Sequence, residues 1–127
     1  MVSRRQARRQ ALFLLYQWDV TGQPLTSLFE GEVDPWARAL AEAVTKEAEE
    51  LDRRVTAAAE GWTADRLGAV ERTVLRIAVH ELEQGDVPAE VAINEAVALA
   101  KRYATDEAGR LVNGILARIQ RETMEAA

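Results

Sequence analysis

ERTVLRIAVHELEQGDVPAEVAINEAVALAKRYATDEAGRLVNGIL, residues 71–116, decides the fold class. It divides at Gly85-Asp86-Val87-Pro88 and again at Ala104-Thr105-Asp106. The segment before the first break carries Val70, Val74, Ile77, Ala78 and Leu82, an apolar stripe at helical spacing. The second carries Val91, Val97, Leu99 and Ala100, and the third Leu111, Val112, Ile115, Leu116 and Ile119. Glycine tolerates the left-handed cap that ends a helix, and proline suits the first turn of the next. Three consecutive amphipathic helices with short breaks predict one compact all-α domain.

Upstream, the same signals continue. Ser3 with Gln6 three residues on predicts a capping box, with a first helix from about Arg4. Ala7, Ala11, Leu14, Leu15 and Trp18 form one apolar face of it. Thr21-Gly22-Gln23-Pro24 ends it, and Leu25–Phe29 reads as a short helix or turn adding Leu28 and Phe29 to the core. Asp34 is the expected N-cap and Pro35 the first residue of a long helix carrying Leu40, Val44, Leu51 and Val55 toward Ala59. Around residues 45–48 the apolar pattern lapses, which predicts a bend or split. Gly61-Trp62-Thr63 closes this segment, with Thr63 or Asp65 capping a short entry into the next helix. The expectation is six to seven helices in a single domain spanning 1–127.

Composition narrows the function classes. Apolar residues at 48% and charged residues at 29% describe an ordinary globular protein. Without cysteine there is no disulfide and no thiolate chemistry, and no apolar run approaches a membrane span. The basic start leading into ALFLLY looks superficially like a secretion signal. Gln17 and Asp19 cut it short with no cleavage site after it, so a cytoplasmic location is expected. The first 18 residues hold four arginines and no acid, leaving −9 on the remainder against −5 overall. Such asymmetry permits local binding of a polyanion by an otherwise acidic body. Arg4, Arg5, Arg8 and Arg9 span an arc of ~140° on the first helix. Guanidinium groups so placed suit bidentate phosphate contacts. Taken alone, RRQARR reads first as a solvated basic face. Cations at a helix N-terminus oppose the macrodipole, and tolerance of that cost leans toward function.

Nothing asks for catalysis. His80 stands in His80-Glu81-Leu82-Glu83-Gln84, where a zinc-protease helix needs a second histidine at position 84. A single histidine also rules out paired di-metal motifs, and no phosphate-binding loop or nucleophile elbow occurs. No cofactor is expected, and His80 reads as a surface or boundary residue. Asn94 and Asn113 sit inside apolar stretches and read as buried amides bridging helix junctions. Gly114 reads as a point of close helix approach.

The combination ERTVLRIAVHEL, DVPAEVAINEAVALAKRYA and RLVNGILARI, preceded by RRQARRQALFLLYQWD, resembles the NusB family of bacterial transcription antitermination factors over nearly the whole chain. The resemblance implies two small helical bundles packed together, about 1–60 and 61–127. It implies binding of boxA-like single-stranded RNA together with NusE, a ribosomal small-subunit protein, and processive transcription of rRNA operons through an RNA polymerase antitermination complex. Arg4, Arg5 and Arg8 match family basic positions, with Arg9 beside them. Arg72 matches a basic position at a later helix start. Tyr16, Glu71, Glu107 and Leu111 match positions that face NusE. Leu111 is aromatic in some relatives, and Glu107 stands where a relative has Asp.

The same residues admit two other readings. One is a NusB-like RNA-binding module related to that of rRNA cytosine methyltransferases, disfavoured because the chain has no room for a cofactor-binding domain. The other is a homodimeric helical interaction protein with the arginine face covered.

Overall fold

The structure, a computed structural model, describes residues 2–59 and 66–126. Five α-helices succeed one another: α1 (Arg4–Thr21), α2 (Pro35–Ala58), α3 (Ala69–Gln84), α4 (Ala89–Tyr103) and α5 (Asp106–Ala126). A 3-10 turn, Leu25–Leu28, lies between α1 and α2. No helix among the described residues is long and apolar enough to cross a membrane.

Local chemistry sets the ends. Ser3 Oγ accepts the Gln6 N–H at 3.1 Å while Gln6 Oε1 accepts the Ser3 N–H at 3.0 Å, the expected capping box. Asp34 Oδ2 accepts the N–H groups of Trp36 and Ala37 at 3.0 and 3.1 Å, with Pro35 as the first helical residue. Gly22 and Gly85 close α1 and α3 at φ 72°, a left-handed turn that glycine adopts without a Cβ clash. At the head of α3, Glu71 reaches back to accept the Gly68 N–H at 3.2 Å. Pro88 caps α4 from outside its first turn.

Helix α3 is the axis of the molecule. It packs against α1, α2, α4 and α5, and every residue from Thr73 to Glu81 is buried. Val74, Leu75, Ala78 and Val79 are almost fully enclosed, alongside Leu12 and Leu15 of α1, Val44 and Leu51 of α2, and Val112 and Leu116 of α5. A helix surrounded on all sides should be apolar all round. This one instead carries three buried ionisable side chains, each tied to a different point of a neighbouring helix. Arg76 bridges Asp19 of α1 at 2.9 Å and Asp52 of α2 at 2.7 Å. His80 Nδ1 lies 2.8 Å from Glu47 Oε2 of α2, off the line of an aligned hydrogen bond. Glu81 accepts from Arg8 Nε of α1 at 2.8 Å.

Several expectations need correction. Helix α2 runs unbroken through residues 45–48, because Ala48 continues the stripe Val44, Ala48, Leu51, Val55 while Glu49 and Glu50 face out and Glu47 turns toward His80. With no split there, five α-helices are found among the described residues instead of six to seven. The expected breaks at Gly61-Trp62-Thr63 and Asp65 lie outside the described residues. His80 is buried, not at the surface. Asn94 and Asn113 are exposed, so neither bridges a helix junction. Gly114 is exposed as well, and a Cβ there would meet nothing within 4 Å. The close approach is at Gly109, where a Cβ would stand 2.5 Å from Lys101 Cγ.

Candidate nucleic-acid interface

The four arginines of α1 divide by their position around the helix. Arg8 precedes Leu12 and Leu15 by four and seven residues, so it shares their inward face. It is 4% exposed, held by the equally buried Glu81, and its guanidinium lies 5.3 Å from the Trp36 ring centroid. Burial pushes the Glu81 carboxyl above the usual glutamate range, with Arg8 pulling the other way. Arg8 is therefore a structural cation, not one displayed to a ligand.

Arg4 and Arg5 face solvent. Arg4 makes no ion pair among the described residues and rests its guanidinium 4.7 Å over the Trp36 ring. Arg5 reaches Glu95 of α4 at 3.0 Å yet is 80% exposed, and the hydrogen bond and charge of Glu95 raise its pKa. A pair so exposed to water holds its partners weakly. Arg9 is half-buried and lines a shallow groove with Arg5, Glu95, Leu99 and Arg102. Arg102 thus extends the basic edge from α1 onto α4. Its sequence context, a Lys-Arg pair in the last turn of a helix, suggests dipole compensation and gives no hint of this.

Arg72 stands apart from that edge. It is 17% exposed, paired with Asp19 and donating to the Leu67 carbonyl at 2.9 Å, so it ties the end of α1 to the start of α3. Burial alone would raise the Asp19 carboxyl. The hydrogen bonds and charges of Arg72 and Arg76 outweigh it and hold the group below its ordinary range.

The residues matched to a protein-facing surface scatter more. Tyr16 is 39% exposed and lines a small hollow with Leu12, Phe13, Val70 and Tyr103. Phe13 meets Tyr103 edge-on at 5.2 Å. Phe13, Tyr16 and Val20, at i, i+3 and i+7, make an exposed apolar stripe on α1. Phe13 and Val20 escape a reading that assigns α1 a single inward face, although ALFLLYQWDV carries apolar residues on two. Glu71 is the neighbour of Val70 and is engaged in the cap of α3. Glu107 is exposed in the first turn of α5. Leu111 lines a separate groove against Ala58 and Ala59, edged by Arg110, Arg118 and Arg121.

Comparison with known proteins accords with this arrangement. Residues 5–121 match the NusB family. The transcription antitermination protein NusB of Rubrobacter xylanophilus is 46% identical over 122 residues, covering 91% of this chain and 88% of its own. Among solved structures, NusB in the crystal structure of antitermination factors NusB and NusE in complex with dsRNA superposes with TM-score 0.83 at 30% identity, over 94% of this chain and 96% of that one. NusB of T. maritima superposes with TM-score 0.84 at 33% identity, over 96% and 94%. A match across nearly the full length in both sequence and fold means that this chain belongs to the NusB family.

Proposed function

We propose that this protein is a cytoplasmic, non-catalytic transcription antitermination factor that binds boxA-like single-stranded RNA together with NusE. The observation that carries the reading is the basic edge formed by Arg4, Arg5, Arg9 and Arg102, exposed or half-buried on an otherwise acidic body. Phosphate contacts from such side chains supply affinity and position but little sequence information. The apolar stripe of Phe13, Tyr16 and Val20 supports a protein partner on the adjoining face of α1. NusE is that partner, as it is for the relative solved with it. The RNA and protein together then join an RNA polymerase antitermination complex on rRNA operons.

The test is fluorescence anisotropy of a labelled boxA-like RNA, with and without NusE, across a salt series. With Arg8 buried, Arg4, Arg5, Arg9 and Arg102 remain for phosphate, so the log–log salt slope is expected to be about −3. Arg4→Ala with Arg5→Ala should weaken binding and flatten the slope to about −1.4. The helical spectrum and NusE binding should be unchanged. NusE should tighten RNA binding, and a scrambled RNA should bind poorly. Absence of RNA binding by the folded protein in both conditions would sink the reading. Self-association of the protein alone on gel filtration would favour the homodimer.

A further inference from the structure

Beside the basic edge lies a hollow of about 400 Å³ that phosphate contacts do not use. Trp36 forms one wall, His80 and Glu81 lie on it from α3, and Gln84 and Asp86 line it where α3 ends. Arg4 lies across the Trp36 ring, and no carboxylate among the described residues anchors it there. Arg8, by contrast, is fixed beneath by Glu81.

We infer that this hollow is a base-reading pocket, in which one nucleobase of the bound single-stranded RNA stacks on Trp36 and displaces the Arg4 guanidinium. The inference rests on the RNA reading above. A guanidinium lying on an indole occupies the place of another flat π-bonded group, and stacking on aromatic side chains is the usual means of holding unpaired bases. Arg4 then has an evident second position on the phosphate beside that base. The walls select for a base over a phosphate. Glu81 is already held by Arg8, but Asp86 brings a carboxylate that repels an anion, and the Asp86 carboxylate and Gln84 amide oxygens can accept hydrogen bonds from exocyclic amino groups. Adenine, cytosine and guanine carry such a group and uracil does not, so the pocket favours the first three.

The experiment uses the full chain and labelled boxA-like RNAs, each with one abasic position, against wild type, Trp36→Leu and Trp36→Phe. Leucine keeps apolar volume against the core, and phenylalanine keeps an aromatic face. One abasic position should cost wild type about 5- to 150-fold in affinity, the range for one stacked base. Trp36→Leu should bind intact RNA more weakly by a similar factor and be indifferent to that position, with its salt slope unchanged. Trp36→Phe should fall between. Uridine at that position should bind wild type more weakly than the other three bases. Equal losses at every abasic position in wild type, or identical position profiles in wild type and Trp36→Leu, would overturn the pocket while leaving the RNA reading intact. Failure of wild type to bind the intact RNA would overturn both.

Discussion

Arg8→Ala is expected to destabilise the protein by about 3–5 kcal/mol, enough to leave a small domain partly unfolded at physiological temperature. The substitution leaves Glu81 buried in a helix enclosed on every side, without the only cation that touches its carboxylate among the described residues. It also removes a guanidinium packed on Trp36. The pH dependence identifies the cause. Burial already raises the Glu81 carboxyl, and loss of Arg8 raises it further. A group whose folded-state pKa lies above its unfolded value has stability that is fully present below the unfolded pKa and lost as pH rises through the folded one. The deficit of Arg8→Ala, measured by urea unfolding, should therefore shrink below the ordinary glutamate range and reach its full size at neutral pH. Replacing both partners, Arg8→Met with Glu81→Leu, should restore most of the stability, because an apolar pair leaves no charge stranded. A deficit independent of pH would mean that lost packing dominates.

Arg76→Ala should cost about 3 kcal/mol by the same physics, and its deficit should likewise be largest at neutral pH, here through an aspartate whose folded-state pKa is depressed. Arg76 is the cation shared by Asp19 and Asp52, and it lies 5.8 Å from the Trp18 ring centroid. Burial would lower its pKa, but the hydrogen bonds and charges of Asp52 and Asp19 prevail and raise it, so it stays charged throughout. Asp19 is the group that titrates. Its folded-state pKa is depressed, so its stabilisation is present above the ordinary aspartate value and lost as pH falls through the folded value. Removing Arg76 takes away one of its two cations. The variant should be weaker at neutral pH and lose less on acidification than wild type does. Parallel curves for the two proteins would exclude Asp19 as the linked group.

Much of this molecule is legible in its sequence, and the division is physical. Caps are local: Ser3 with Gln6, Asp34 with Pro35, Gly22 and Gly85 each act within a turn, and each stands where its residue type predicts. The all-α class rests on helical periodicity, which is also local. Faces are less legible. Asn113 and Gly114 are flanked by apolar residues in sequence, but the buried stripe of α5 runs Ala108, Val112, Ile115, Leu116, Ile119 and leaves both outside. The RRQARR cluster reads as one arc, whereas Arg8 belongs with Leu12 and Leu15. That inward position is visible in the spacing, but its viability depends on Glu81, which lies 73 residues away. His80 is hard to place for a similar reason, since Glu47 meets it only after α2 and α3 have packed.

The ionic ties of the central helix also bear on how quickly the native state comes apart. Arg8 with Glu81 and Arg76 with Asp19 join residues 73 and 57 positions apart. A buried ion pair recovers the cost of stripping both charges of water only when its geometry is correct, so these contacts form after the helices have docked. Contacts absent from the folding transition state act on the unfolding rate. The stability lost in Arg8→Ala should accordingly appear as unfolding accelerated by roughly 150- to 5,000-fold, with refolding nearly unchanged in stopped-flow measurements. In that sense the charges within α3 act as a latch that prolongs the lifetime of the native state after apolar burial has brought the helices together.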